Sequence, residues 1–493
     1  MKLHYHEKRV IGDRSPLLYG QFIEHFHRQI YGGVYDPASP FADEDGLRTD
    51  VLEALRRIRV PILRWPGGCY VSAYHWQDGV GPQRRPRFDK AWRVEDPNTF
   101  GTDEYVRLCR KIGCEPYICT NAGTGTAEEM SDWMEYCNLE NEGCFARARI
   151  ANGYPEPHRV KYWSIGNENY GTWEIGAKDA GEWARLVLES AKMLRHVDPT
   201  AQLSAAALAD LDWNIQLLRA AGDFLDWISI HGYWDGLWQV NDPADFEACM
   251  AYTASIDTNL RQVRGLLTAM GLEKRIRIAF DEWNLRGWHH PNAHTIQQGV
   301  TKDDYLTPRD KNDDNSQYTM ADAVFSACFL NVMNRNCDMV GMANFAPVVN
   351  TRGCIFTHPA GIVLRSTYHV FDLYVNYRGD RVMDSWCEDE TSLSFRKKEG
   401  GEEKLPALDA LVTLYTDRPG TAIAAVNRDP DHAHTLELPR NYANVTLHTV
   451  NGPDRDSYND IGREEVRLTH ETLGSAREVK LQPHSVNVIQ CMD

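Results

Sequence analysis

Short apolar runs alternate with stretches of helical periodicity over most of the chain. Eight runs read as strands: Leu17–Ile23, Ile58–Trp65, Glu115–Thr120, Val160–Ile165, Gln202–Leu208, Trp227–His231, Arg275–Phe280 and Met339–Phe345. Between them lie segments whose apolar residues recur every three or four positions, among them Arg48–Arg57, Thr102–Ile112, Ala180–Val197 and Tyr318–Asn334. Strands that alternate with helices predict a parallel sheet, because parallel neighbours need a crossover between them. Eight such units predict an α/β fold, a (β/α)8 TIM barrel. An open doubly wound sheet would carry a Gly-rich phosphate turn after its first strand, and GQFIEHFH is not one.

Past residue 370 the pattern changes. Runs such as LVTLYTD, TAIAAVNRD, NVTLHTVNG and SVNVIQC alternate apolar with polar residues and are separated by turn signals. They predict a C-terminal all-β sandwich of jelly-roll type. The expected division is a barrel over 15–372 and a sandwich over 373–493, with residues 1–14 adding a strand to it. Gln297–Asn315 is polar and aperiodic, and reads as a long loop over one end of the barrel, a candidate lid.

Composition narrows the function classes. The 493 residues carry a net charge of −17, with 42% apolar and 25% charged residues. Such an acidic chain repels phosphate backbones, so a nucleic-acid partner is disfavoured. No apolar run is long enough to span a membrane, and MKLHYHEKRVIGDRSPLLYG reads as having no secretory h-region. The expected location is the cytoplasm, with the 12 cysteines as reduced thiols.

In a (β/α)8 barrel the chemistry sits at the C-terminal ends of the strands. The fourth predicted strand runs into Gly166-Asn167-Glu168-Asn169 and the seventh into Asp281-Glu282-Trp283-Asn284. Two glutamates on opposite sides of one mouth suit glycosidic bond cleavage, where one carboxyl protonates the departing oxygen and the other attacks the anomeric carbon or activates water. Strand alternation assigns Glu282, not Asp281, to the mouth. Other strand ends offer Glu24 and His25, Arg64 with Trp65-Pro66-Gly67-Gly68-Cys69, Asn121, His231 with Tyr233, and Asn344. Arg64 is placed to keep a nucleophilic carboxylate ionised. The mechanism asks for a raised pKa at Glu168 and a low one at Glu282.

Several features have plainer readings. No Cys-His-Asn arrangement surrounds Cys69, so it reads as a wall residue. His289, His290 and His294 lie in a Pro/Asn loop without helical order and read as solvated. Cys109, Cys114 and Cys119 fall on a helix and a strand, which speaks against a zinc site. The residues call for neither metal nor cofactor.

The segments YGQFIEHFHRQIYGGVYDP, LRWPGGCYVSAYHWQDGVGP, EPYICTNAGTGTAEEMSDWMEYCN, VKYWSIGNENYG and DEWN together resemble the family 51 glycoside hydrolases, chiefly α-L-arabinofuranosidases. The resemblance runs from about residue 17 to residue 375. It implies a retaining exo-enzyme acting on arabinofuranose-containing oligosaccharides or polysaccharides, with Glu168 as acid/base and Glu282 as nucleophile. It also implies sugar contacts from Glu24, Cys69, Asn167 and Tyr233, with Arg64 supporting the nucleophile. Asn121, His231 and Trp76 complete the expected substrate-binding set. A homo-oligomer, with a hexamer open, is implied as well. Many members carry a Gln in a stretch like NxAQxVN, where this chain has Pro347. That departure keeps a β-D-galactofuranoside open as substrate. An endo-acting glucanase or xylanase on the same fold is a further alternative.

Overall fold

The computed structural model describes residues 1–237, 242–287 and 313–492. The parallel strands, first to eighth, are Gly20–Phe22, Ile62–Trp65, Glu115–Thr120, Tyr162–Ile165, Gln202–Ala205, Trp227–Asp235, Arg277–Arg286 and Val340–Phe345. Each pairs with its chain neighbours, and the eighth pairs with the first. A parallel bridge between Ala206 and Ser229 joins the fifth to the sixth and closes the cylinder. Helices fill the crossovers, including Thr49–Arg57, Thr102–Ile112, Ala127–Asn138, Ala180–Val197, Leu211–Ala221, Thr258–Ala269 and Met320–Arg335, and Ser366–Tyr377 follows the last strand.

The strand boundaries differ from the apolar runs for local reasons. Pro16 opens a 3-10 turn over Pro16–Tyr19, which takes the front of the first predicted strand. The first strand is short and close to its neighbour: a Cβ at Gly20 would lie 2.7 Å from Asn344 Nδ2. Ile58 caps the helix Thr49–Arg57, so the second strand begins only after Pro61. The sixth and seventh strands run further than their apolar cores, because polar residues continue the parallel ladder. Glu282 pairs with His231, Asn284 with Tyr233 and Arg286 with Asp235.

Helix Ala180–Val197 shows why these segments start where they do. The Asp179 carboxylate accepts from Glu182 N at 2.8 Å and Glu182 reaches back to Asp179 N at 3.1 Å, a reciprocal capping box. Its inner face buries Trp183, Val187, Ala191 and Leu194. Each large apolar side chain so buried contributes about 1.5–3 kcal/mol.

The remaining strands form a seven-stranded, mainly antiparallel sheet. Its order is Lys2–Asp13, Arg381–Glu388, Leu408–Leu414, Thr421–Asn427, Val486–Met492, His434–Asn451 and Arg467–Leu481. A pairing of Lys2 with Glu437 brings the first strand against the sixth, so the sheet curls over its own core of Leu3, Val412, Ile423, Leu436 and Ile489. HTLELP and NVTLHTVNG, and likewise EVRLTHE and REVKLQP, read as separate strands in sequence but merge into two long bent ones. Pro439 cannot donate to the ladder, and the register jumps from Glu437 to Tyr442 across it.

No described helix is long and apolar enough to cross a membrane. Histidines 289, 290 and 294 and most of Gln297–Asn315 lie outside the described residues.

Candidate active site

The fourth strand ends in a tight left-handed turn. Gly166 has φ +69°, and a Cβ there would lie 2.2 Å from Asn169 Oδ1 and 2.5 Å from Trp183. Glu168 follows at φ +47°. This region costs a non-glycine residue roughly 1–3 kcal/mol and persists only where its surroundings enforce it. The turn brings the Glu168 carboxylate against His231: Nδ1 lies 2.9 Å from Oε1. Trp173 Nε1 donates to Oε2 at 2.9 Å.

Across the mouth, Glu282 is 2% exposed. Arg64 donates to its Oε2 at 2.7 Å and the Tyr233 hydroxyl to its Oε1 at 2.6 Å. Arg64 also donates to Asn167 Oδ1 at 2.8 Å, so one guanidinium ties the two glutamate-bearing strand ends together. Donor and acceptor atoms of Glu168, His231 and Glu282 lie within 4.8 Å of one another.

Asp281 corrects the alternation argument. It does not point away from Glu282 into a separate environment. Its carboxylate accepts from Tyr117 Oη and Ser229 Oγ, each at 2.6 Å, and lies 3.4 Å from His231 Nε2 and 3.7 Å from Arg64 Nε. A register shift between Ala279 and Glu282 against the sixth strand breaks the two-residue period, so both acids reach the same cluster. Burial opposes the charge on Asp281, but Arg64, His231 and Ser229 outweigh it and hold its pKa near 2.

The same network sets the proton on Glu168. Burial raises its pKa, yet the contacts with His231 and Trp173 bring it below the ordinary carboxyl value. Burial also opposes the His231 charge, but Glu282, Asp281 and Glu168 push its pKa up to about 10. The raised Glu168 expected from sequence is therefore not what this arrangement gives: the proton of the pair rests on His231.

The opposite wall is neutral. Glu24 is fully buried, with Oε1 accepting from Tyr70 N and Trp92 Nε1 at 3.0 Å each, while Oε2 has no partner among the described residues. Burial and then Glu282 push its pKa well above the usual range. The two glycines of WPGG are required by this carboxyl, since a Cβ on Gly67 would lie 2.5 Å from Glu24 Cγ and one on Gly68 2.8 Å from Oε2. Cys69 follows, its thiol pushed well up by burial and by Glu174, Glu168 and Glu24, so it remains a neutral thiol. Asn167 Nδ2 is buried without a partner among the described residues.

Two expected contacts fall elsewhere. Trp76 is 2% exposed, its ring stacked on Trp133 and edge-on to Phe145, and its indole donates to Glu129 O. It belongs to the helix packing. Asn121 spends its amide on the loop: Nδ2 donates to Tyr74 O and Thr124 Oγ1, and Oδ1 accepts from the backbone of Gly123, Thr124 and Gly125. It shapes the third strand's loop and has no donor left for a sugar. Sequence reasoning missed Trp173 and Glu174. Both lie in the loop after the fourth strand, where any aromatic or acidic residue is a candidate. Asp43, Glu44 and Asp45 form a further acidic group, but Lys111 Nζ already lies 2.7 Å from Asp43.

A closed (β/α)8 barrel carrying two facing glutamates, a buried arginine and a neutral polar wall at its mouth defines a glycoside hydrolase. Residues 54–248 match the model of the α-L-arabinofuranosidase 1 domain and residues 281–485 that of the α-L-arabinofuranosidase C-terminal domain. α-L-Arabinofuranosidase C of Emericella nidulans is 33% identical, the alignment covering 98% of this chain and 96% of that protein. An intracellular exo-α-(1→5)-L-arabinofuranosidase of Halalkalibacterium halodurans is 31% identical, covering 93% of this chain and 92% of that one. The α-L-arabinofuranosidase of Thermotoga maritima in its arabinose complex superposes with TM-score 0.87 at 35% identity, covering 99% of both chains. The chain belongs to the α-L-arabinofuranosidases of glycoside hydrolase family 51.

Proposed function

We propose that this chain releases terminal non-reducing α-L-arabinofuranosyl residues from arabinose-containing oligosaccharides by a retaining double displacement. The observation that carries the reading is the approach of the Glu168 and Glu282 carboxylate oxygens to within 4.8 Å. Retaining enzymes hold their two carboxyls about 5–5.5 Å apart, whereas inverting enzymes leave about 6.5–9.5 Å for a water.

Glu282 is the nucleophile. Arg64 and Tyr233 fix both of its oxygens, so it meets the anomeric carbon without reorganising. Glu168 is the acid/base. The Glu168–His231 pair holds one proton across its 2.9 Å contact, and moving that proton onto Glu168 arms it to protonate the leaving oxygen. A covalent arabinosyl ester on Glu282 results. Its formation removes the Glu282 charge, and Glu168 then takes a proton from the water that releases the sugar. Glu24 Oε2 and Asn167 Nδ2, which have no partner among the described residues, offer polar partners to the furanose hydroxyls, with the Cys69 thiol near Glu168 and Glu174 as a further contact.

The named relatives favour arabinofuranosides over the galactofuranoside and endo-acting alternatives. The cytoplasm is the proposed location, supported by the relative named intracellular, with short oligosaccharides as substrates and a homo-oligomer as the working form. The test is hydrolysis of p-nitrophenyl α-L-arabinofuranoside by wild type and Glu282→Ala, with the first product anomer read by NMR. Wild-type release of α-arabinose and an inactive variant are expected. Initial release of the β anomer, or an active Glu282→Ala, overturns the assignment.

A further inference from the structure

Glu174 lies beside Cys69 and Glu168 with no part in the mechanism above. It is 4% exposed. Its Oε1 accepts from Ser72 Oγ at 2.5 Å, and its Oε2 is buried without a hydrogen-bond partner among the described residues. One of its oxygens, the Cys69 sulfur and a Glu168 oxygen lie within 4.8 Å of one another. The orphaned oxygen therefore belongs to the same group of unsatisfied buried atoms as Glu24 Oε2 and Asn167 Nδ2. A buried polar atom left unpaired costs about 1–3 kcal/mol. Several in one cluster mark a place built for a polar ligand.

The charge state follows from the neighbours. Ser72 and Cys69 face Glu174 from the 3-10 turn Cys69–Ala73, Glu168 and Tyr170 from its own loop, and Glu282 from the seventh strand. Glu24 also acts on the Cys69 thiol, which feels all three glutamates. The cations Arg64 and His231 are engaged with Glu282, Asp281 and Glu168. A carboxyl buried among acids keeps its proton. With Ser72 donating to Oε1 and the Cys69 thiol also bonded to the carboxyl, the proton falls on Oε2, which has no acceptor among the described residues.

We propose that Glu174 is a substrate-binding residue whose protonated carboxyl donates a hydrogen bond from Oε2 to a hydroxyl of the furanose seated between Cys69 and Glu168. The cavity then has two chemically distinct sides. Glu168, Glu282, His231 and Arg64 move charge, while Glu24, Cys69 and Glu174 grip the sugar as neutral groups. The proposal rests on the arabinofuranosidase reading and adds a residue to it.

The donor is present only while the carboxyl is protonated. Burial, then Glu168, pushes its pKa up to about 8. Below that value Glu174 donates; above it the anion repels the acid/base and has no proton to give. The test follows kcat and KM for p-nitrophenyl α-L-arabinofuranoside from pH 6 to pH 9 in wild type, Glu174→Gln and Glu174→Ala, with thermal melts on each. Loss of the hydrogen bond in Glu174→Ala lowers kcat/KM about tenfold at pH 6. Glu174→Gln keeps a weaker donor and loses about threefold there. Its deficit against wild type closes or reverses above the carboxyl's pKa, because the amide does not ionise. A wild-type to Glu174→Gln ratio that is constant over the whole range overturns the proposal. So does a folded Glu174→Ala with wild-type kcat/KM. A wild type that leaves the arabinoside intact overturns the function reading beneath it, and that outcome is visible before any variant is made.

Discussion

Arg64→Met removes the charge that holds the catalytic cluster together while keeping most of the side-chain volume. Arg64 is fully buried, 2.7 Å from Glu282 and 3.7 Å from Asp281. At an effective dielectric near 20, those separations correspond to attractions of about 4–6 kcal/mol each before desolvation. Removing one member of such a buried set leaves uncompensated charge and costs about 3–5 kcal/mol net. Part of this cost depends on pH with a defined sign. Asp281 has a pKa near 2 against an ordinary value of 3.8, burial raising it and Arg64 first among the groups that lower it. A depressed carboxyl contributes stability above its unfolded pKa and loses it as pH falls through its folded pKa. A shift of this size is worth about 2.5 kcal/mol. Wild type loses that amount between about pH 4 and pH 2, and Arg64→Met has little of it to lose. Urea unfolding followed by tryptophan fluorescence at pH 7, 5 and 2.5 measures the gap between the two proteins. It is expected to be 3–5 kcal/mol at pH 7 and to narrow by about 2 kcal/mol at the acid end. A gap below about 1 kcal/mol at neutral pH, or one that does not change with pH, refutes the reasoning.

Trp173→Phe deletes the indole N–H that binds Glu168 Oε2 and keeps a ring at the mouth. Protonation matters most for a poor leaving group, so kcat/KM should fall about tenfold on an arabinose disaccharide and less on the p-nitrophenyl substrate; equal losses on both argue against the contact's role. Trp76→Ala should cost about 3–5 kcal/mol of stability and leave KM unchanged, since the ring packs on Trp133 and Phe145. A large KM rise with an unchanged melting temperature would return Trp76 to the sugar site.

The barrel was legible because its signal is repeated: each apolar run is short, buried on both faces and followed by a helix. The positions of Glu168 and Glu282 followed from the same placement rule. What did not follow depends on departures from regularity. Asp281 reaches the cluster through a register shift, and periodicity carries no record of which residue is skipped. Asn121 resembles a sugar ligand in type and place, but its amide is consumed by its own loop, a fact of backbone geometry. The raised pKa expected at Glu168 presumed an isolated buried acid, and His231 at 2.9 Å reverses it. Glu174 sits in an aperiodic loop, and only the packing of Ser72 and Cys69 against it separates it from a solvated acid.

The curled sheet also constrains the order in which the molecule is made. Strand Lys2–Asp13 pairs with Arg381–Glu388, with Lys2 opposite Glu388. A ribosome adds about 5–20 residues per second, so the first strand leaves the tunnel some tens of seconds before its partner is synthesised. Through that interval Leu3, which ends in the sheet core, has nothing native to cover it. The barrel can form as the chain lengthens, but strand Lys2–Asp13 joins its sheet only after Arg381–Glu388 has been made. A bulky group attached ahead of Lys2 would therefore burden the step in which this strand docks on its sheet.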